Sequence, residues 1–231
     1  MSVEKAIEKL QSGEFVLIHD SSEREDETDM VIAAENVRPI HVAQMRQDAG
    51  GLICVAVHPK VANELNLPYM SRIYEAAAEN YEILNSAEAD DLPYDERSAF
   101  SISVNHRDTF TGITDADRAL TIKKLGELST EVFNGSGVGD FGKKFRTPGH
   151  IPLLRADDDL LESREGHTEF SVVLAEMAGV SPAVAVCEMM DSETKRALNE
   201  EKAEEYAEEK SLVFLEGDEI LEAYRNNRRS D

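Results

Sequence analysis

The sequence predicts an α+β fold: a three-layer single domain over residues 1–231, with a mixed, twisted β-sheet flanked by helices. Three observations point there. The apolar runs "FVLI", "MVIAA", "LICVAV" and "AVAVC" are continuous rather than alternating, as in strands buried on both faces. Helical patterns lie among them without strict alternation, which favours a mixed sheet over a doubly wound one. A chain of 231 residues can bury one full hydrophobic core, and no linker-like stretch divides it.

The opening "MSVEKAIEKLQSGEF" places Val3, Ala6, Ile7 and Leu10 at helical spacing, with acids in the first turns. "EFVLIHD" then reads as a strand, and "MVIAAENV" as a second, buried one. "HVAQMRQDAGG" predicts a short helix stopped by Gly50 and Gly51, and "LICVAVHP" a buried strand closed by Pro59. From Lys60 to Arg97 the chain is polar and aperiodic, and is expected to cover the core irregularly. "AFSISVN" alternates as a strand. "TDADRALTIKKLGELST" is a helix with Thr114 or Asp115 as N-cap and Leu120, Leu125 and Leu128 on its inner side. "NGSGVGDFGKKFRTPGHIPLL" is expected to be a long glycine-rich loop. "HTEFSVVLAEMAGVSP" forms a helix ending at Gly179, and "AVAVCEMM" a last buried strand.

Composition narrows the function. The 47 acids against 24 bases give a net charge of −23, which argues against nucleic acid or an anionic membrane as partner, since both need a positive footprint. The acids are spread along the chain, as in "ADDDLLESREG" and "LNEEKAEEYAEEK". A salt-rich cytoplasm, where screening removes self-repulsion, would suit such a surface. Cys54 and Cys187 sit singly in apolar runs and read as buried, reduced thiols rather than a disulfide or zinc site. No stretch approaches the roughly 20 apolar residues of a membrane span, and the start lacks the features of a signal peptide. A cytoplasmic location is expected.

Two motifs carry chemistry and one is a decoy. "GVGDFGKK" mimics nucleotide loops through Gly137, Gly139 and Gly142, but Lys144 stands where a magnesium-binding hydroxyl belongs and no helix start follows. In "DSSEREDETDM", residues 20–30, six carboxylates surround one arginine. Glu25, Glu27 and Asp29 alternate, so an extended backbone points them the same way, and like charges so close call for a cation; hard oxygen ligands suit Mg2+ or Mn2+. A solvated acidic turn is the plain alternative. "SREGHTEF" offers the Arg164 fork and a helix start capped by Thr168, together a phosphate pocket, with His167 beside it as metal ligand or proton carrier. His150 in "RTPGHIP" is a second histidine candidate, and Glu188, after "AVAVC", is a charge that needs a partner if buried.

Together "REDETD", "TPGH", "REGHTE" and "VCEMMD" resemble the 3,4-dihydroxy-2-butanone 4-phosphate synthase family of riboflavin biosynthesis, and "DMVIAAE", "FTGITDADRALTI" and "AGVSPAVAVCEMMD" extend the likeness along the chain. The resemblance implies a Mg2+-dependent carbon–carbon lyase. It would convert D-ribulose 5-phosphate to L-3,4-dihydroxy-2-butanone 4-phosphate, expelling carbon 4 as formate. Carried over by motif, Glu25 and His167 would ligate the metal, Mg2+ or Mn2+, at two ions per site. Arg24 and Asp29 would contact the sugar. Arg164, Glu165, Gly166, His167 and Thr168 would hold the phosphate, and His150 and Glu188 would form the proton-transfer pair, Glu188 also touching substrate. Glu27 is assigned no proton. The family further implies a homodimer with sites near the interface. Some relatives carry a fused GTP cyclohydrolase II domain; with the sequence closing on "YRNNRRSD", none is expected here. The alternative reading is a non-catalytic sugar-phosphate or nucleotide sensor on the same fold, which would need the Arg164 and Thr168 pocket but not Glu25, His150, His167 and Glu188 together.

Overall fold

The computed structural model describes residues 2–22, 24–87, 91, 95 and 97–229. Glu23 of the acidic turn, and 88–90, 92–94 and 96 of the polar segment, lie outside the described residues. In chain order the elements begin α1 (Ser2–Gln11), β1 (Val16–His19), β2 (Thr28–Ala33), α2 (Pro39–Gln44), β3 (Cys54–Val57), α3 (Pro59–Glu64), α4 (Met70–Ala77), α5 (Glu82–Ser86), β4 (Phe100–His106) and α6 (Asp115–Phe133). They continue α7 (Phe141–Lys144), β5 (Phe145–Arg155), α8 (His167–Ala178), β6 (Ala183–Glu188), β7 (Met190–Asp191), β8 (Arg196–Ala197), α9 (Glu200–Lys210), β9 (Val213–Glu216) and α10 (Gly217–Arg228).

Seven strands form one mixed sheet in the order β4-β5-β3-β6-β2-β1-β9. The β1/β9 and β3/β5 pairs are parallel and the others antiparallel. Side-chain alternation divides the core in two. Leu17, Met30, Ile32, Val55, Ala185 and Cys187 point into one cluster with Ile122, Leu125 and Leu128 of α6. Val16, Ile18, Val31, Ala56, Val184 and Val186 point into the other, with Leu10 of α1, Val172 and Val173 of α8 and Ile220 of α10. Both sheet faces are therefore covered by helices, which is the predicted three-layer arrangement and the reason these strands read as continuous apolar runs.

The local signals at element ends hold where a specific residue supplies them. Thr114, not Asp115, caps α6, its hydroxyl accepting from the Asp117 N–H at 3.1 Å. Gly179 ends α8 in the left-handed region at φ 65°. Gly50, at φ 89°, stops α2 after a five-residue π-helical turn, Met45–Ala49.

Four expectations are corrected. The polar segment from Lys60 carries α3, α4 and α5 rather than irregular cover. α3 is a six-residue helix burying Pro59, Val61 and Ala62, and α4 and α5 bury no residue fully, so no periodic stripe accumulates. Leu120 is only half-buried, and the neighbouring Ala119 takes the inner position. The glycine-rich stretch is not one long loop: Val138–Asp140 is a 3-10 turn leading into α7, and from Phe145 the chain is the 11-residue strand β5, burying Phe145, Ile151 and Leu153. Pro148 and Gly149 hide that strand in the sequence, because they fall where β5 leaves the ladder: Val104 pairs with Ile151 but Asn105 pairs with Arg146, so residues 147–150 bulge outward. Finally Gly166, not Thr168, is the N-cap of α8, with Thr168 the second residue of the helix and buried.

Candidate active site

The site lies at one end of the central strands, where the acidic turn between β1 and β2, the start of α8 and the end of β6 converge. The turn is shaped from within by Asp20, fully shielded from solvent. Its Oδ2 accepts from the Glu25 N–H and from Arg24 Nη1, and its Oδ1 accepts from the Glu27 N–H, at 3.1, 3.2 and 3.1 Å respectively. Two carboxylate oxygens holding two backbone N–H groups fix the loop, so Glu25 and Glu27 are presented by geometry and not by chance.

A cavity of about 370 Å³ is lined by Glu25, Glu27 and Asp29, by Arg164, His167 and Thr168, and by Glu188. Asp29 and Glu188 are directly paired in the β2/β6 ladder. Like charges in that position are destabilising, so a sheet under selection for stability alone would not place them there. Oδ1 of Asp29 is buried without a hydrogen-bond partner among the described residues. Burial pushes the Asp29 carboxyl up and, although His167 opposes this, Glu188, Glu25 and Glu27 add to it, reaching about 7. Burial, then Glu25, Glu188 and Asp20, raise Glu27, against the opposing His167. Glu25 goes the other way: burial pushes it up, but the His167 ring and the Arg24 guanidinium outweigh this and hold it below the usual range.

His167 is the counter-charge. Its Nε2 lies 3.1 Å from the Glu27 backbone carbonyl; a carbonyl can only accept, so Nε2 carries a proton and Nδ1 is left facing Oε2 of Glu25 at 3.7 Å. Burial lowers the imidazole, but Asp29, Glu25 and Asp20 overcome it and raise His167 to about 10. Nδ1 of His167 and the Glu25 carboxylate, side by side in the cavity, are the donors that would hold a divalent ion. The ring's other nitrogen tied to a carbonyl is the arrangement that orients a metal-binding histidine. Asp20, Glu25 and His167 each bring a ligand atom within 4.8 Å of the others. Asp20, however, already spends both oxygens on the loop, so Glu25 and His167 are the better pair of donors. The residues present fit a divalent cation.

Next to Glu25, whose Oε1 lies 2.8 Å from Arg24 Nη1, an anion seat is formed. Arg24 Nη2 and Arg164 Nε both donate to Oδ2 of Asp95, at 3.1 and 2.5 Å. The two guanidiniums meet above Gly166, where a Cβ would lie 2.6 Å from Arg164 Nη1 and 3.0 Å from Arg24 Nη2. A side chain there would push the two guanidiniums aside, at the position just before a 12-residue helix whose N-terminus adds its own positive end. Arg164 is braced from behind by Glu169, a 2.5 Å bond to a carboxylate with no solvent exposure.

Glu188 is held by a hook. Its Oε2 accepts from the Leu52 N–H at 2.7 Å and its backbone oxygen from the Gly51 N–H at 3.0 Å.

Of the residues expected from sequence, Arg24, Glu25, Glu27, Asp29, Arg164, Gly166, His167, Thr168 and Glu188 are gathered in or against this cavity. Glu165 is exposed and faces a neighbouring small cleft, with Arg225 3.7 Å away. His150 is exposed on the β5 bulge and does not line the cavity of its own chain. Sequence reasoning missed Asp20, Asp95 and the Leu52 N–H. Asp20 stands inside the motif, where its loop-forming role could have been read from its Asx-turn position. Asp95 lies in an aperiodic segment that gives no signal. Cys54 also lines the cavity, and burial pushes its thiol up, so it stays neutral.

Over residues 4–223 the sequence matches the family described as 3,4-dihydroxy-2-butanone 4-phosphate synthase. The chain belongs to that family. A 3,4-dihydroxy-2-butanone 4-phosphate synthase of Archaeoglobus fulgidus is 55% identical over 229 residues, covering 99% of this chain and 96% of that protein. The 3,4-dihydroxy-2-butanone 4-phosphate synthase of Methanothermobacter thermautotrophicus is 48% identical over 226 residues, covering 98% and 97%. Among solved structures, a 3,4-dihydroxy-2-butanone 4-phosphate synthase in a cation-free form superposes with a TM-score of 0.78 at 26% identity over 98% of each chain. Another, in complex with two magnesium ions, gives 0.77 at 26% identity over 98% of this chain and 97% of that one. The 3,4-dihydroxy-2-butanone 4-phosphate synthase family converts ribulose 5-phosphate to 3,4-dihydroxy-2-butanone 4-phosphate in riboflavin biosynthesis, and that is the function of this chain.

Proposed function

We propose that the conversion runs in the cavity between the acidic turn and α8, with Glu25 and His167 as ligands of Mg2+ or Mn2+, two ions per site, and formate as the second product. The observation that carries this reading is Nδ1 of His167 facing Glu25 at 3.7 Å in the same cavity as Glu188 and Arg164. The magnesium-bound relative supports the choice of ion. When bound, the divalent ion supplies charge stabilisation for an oxyanion forming on the sugar.

The chain's own residues do the rest. Arg24 and Arg164 receive the phosphate in the seat where they now bind the Asp95 carboxylate; phosphate offers more oxygens to the same two forks. Thr168 and Gly166 face it from the helix start. Asp29 contacts the sugar, and Glu188, fixed by the Leu52 N–H, takes the proton whose loss gives the enediol. Its carboxylate stays in place for the later skeletal shift, because its oxygen and its backbone are both tied to the 51–52 hook.

His150 completes the pair only if two chains meet. It is exposed and away from its own cavity, so we place it at the site of a second copy, in a cytoplasmic homodimer with sites near the interface. Glu165 would serve the phosphate only from outside the cavity, as a contact to its rim.

Purified protein incubated with ribulose 5-phosphate and Mg2+, with and without chelator, tests the assignment through formate. Formate that appears with the metal and is lost on chelation is the expected result. None under salt conditions that keep the protein folded overturns it.

A further inference from the structure

His150 sits on the bulge of β5, and the group that holds it is Asn105 of β4, only 5% exposed. The His150 backbone N–H donates to Oδ1 of Asn105 at 2.8 Å. A backbone N–H can only donate, so the amide atom facing it must be oxygen, and this fixes which way the carboxamide points. The amide NH2 is then the group 3.1 Å from Nδ1 of the His150 ring. It too can only donate. Nδ1 must accept, and in the neutral imidazole the proton therefore sits on Nε2. Oδ1 also lies 3.3 Å from Nδ1, but a ring protonated at Nδ1 would turn its N–H against the closer NH2.

Neither partner can drift. Gly112, at φ +90°, packs so tightly on the carboxamide that a Cβ there would lie 2.1 Å from Nδ2 and 2.4 Å from Cγ of Asn105. Gly149 brings the bulge so near β4 that its Cβ would lie 1.9 Å from the Val104 carbonyl carbon. The bulge is pinned further by Thr147 Oγ1 donating to the Ser103 carbonyl at 2.8 Å and by the Gly149 N–H donating to Ser103 Oγ at 3.2 Å.

We propose that Asn105 is a positioning residue that sets the His150 imidazole in the Nε2–H tautomer, so that His150 offers the sugar a hydrogen-bond donor and leaves proton abstraction to Glu188. The inference rests on the reading of His150 and Glu188 given above. An Nε2–H aimed at a substrate oxygen stabilises the negative charge developing there and, as the donor of the pair, can pass its proton to that oxygen.

The test is two-bond 1H–15N correlation of the histidine rings in 15N-labelled protein at pH 8.5, where an ordinary imidazole is neutral, with the His150 signals assigned by their loss in His150→Ala. The Nε2–H pattern is expected for His150, and an Nδ1–H pattern in the unmodified protein overturns the proposal. In Asn105→Asp both side-chain oxygens accept, so the ring is expected to switch to Nδ1–H, and kcat for formate release to fall about 10- to 100-fold with KM within about twofold. A ring that keeps Nε2–H, or an unchanged kcat after the switch, refutes the role of Asn105. If Asn105→Asp does not fold, the tautomer in the unmodified protein decides. Full formate release by His150→Ala would instead sink the catalytic reading of His150, while the ring signals still report on the tautomer.

Discussion

Asp29 bears the highest local cost of any carboxylate in the cavity. It is buried, one oxygen lacks a partner among the described residues, and Glu188 stands opposite it in the ladder. An unsatisfied buried acceptor costs about 1–3 kcal/mol. The charge adds to that cost in a pH-dependent way. The folded-state value of about 7 lies above the ordinary 3.8, so below the ordinary value both states are protonated and nothing is lost, whereas from there up to about 7 the unfolded chain ionises first and stability falls. Asn at this position is neutral at every pH. Asp29→Asn is therefore expected to raise the melting temperature of metal-free protein, more at pH 8 than at pH 5, while formate release is lost. An equal gain in melting temperature at both pH values would show that the charge is not the source of strain. Glu188→Gln keeps the shape and the Leu52 bond but cannot take a proton; an intact fold with kcat down at least about 100-fold is expected. Arg164 needs a gentler probe than alanine, because removing it would strand the solvent-free carboxylate of Glu169 and cost roughly 3–5 kcal/mol of stability. Arg164→Lys keeps the charge and loses the fork, so KM for ribulose 5-phosphate should rise while kcat changes less.

At the scale of elements, the hook at 50–52 does for Glu188 what Asp20 does for Glu25 and Glu27: it makes a flexible carboxylate into a fixed one. A Cβ on Gly51 would come within 2.5 Å of both the backbone oxygen and Oε2 of Glu188; the first contact cannot relax without moving the end of β6, and the second turns the carboxylate away. Gly51→Ala is accordingly expected to lower kcat at least about 10-fold with little change in KM, and wild-type kcat in that variant would show that the hook does not set the position of Glu188. The sequence announces this hook only as a helix stop. β1, β2, β3 and β6 were legible because burial on both faces leaves unbroken apolar runs, and α6 and α8 because Thr114 and Gly179 mark their ends. β5 was not, since Pro148 and Gly149 belong to its bulge. α9 buries only Ala203 and Ala207, and a helix that seats two small residues looks in sequence like a solvated acidic run. The site shows the same division. Glu25, Asp29, Arg164, His167 and Glu188 stand in local motifs, while Asp95 reaches Arg24 and Arg164 from 71 and 69 residues away, a contact that no local pattern encodes.

The molecule as a whole carries −23 charges on 231 residues, and the fold concentrates some of them. Around β9 and α10, burial and then the neighbouring Glu200 raise Glu216 to about 7, with Glu219 and Glu204 adding to it. A carboxyl raised in the folded state contributes its full stability below its ordinary value of 4.5 and loses it as pH climbs to about 7. Above neutrality the cluster is fully charged and repels itself along with the rest of the surface. The screening length is about 10 Å at 0.1 M salt and about 3 Å at 1 M, so added KCl removes repulsion between exposed charges while leaving the short pairs around Arg24 and Arg164 nearly intact. The melting temperature is therefore expected to rise steadily from 0.1 to 1 M KCl, and to rise further at pH 8 than at pH 5, where part of the acidic charge is already neutralised. Chelator in every sample separates this from occupancy of the divalent site. Sucrose in place of KCl controls for general exclusion of a cosolute from the surface, and should leave no difference between the two pH values. A melting temperature indifferent to KCl at pH 8 would mean that the acidic surface is already balanced by its own spacing, and the expectation of a salt-adapted protein would fall with it.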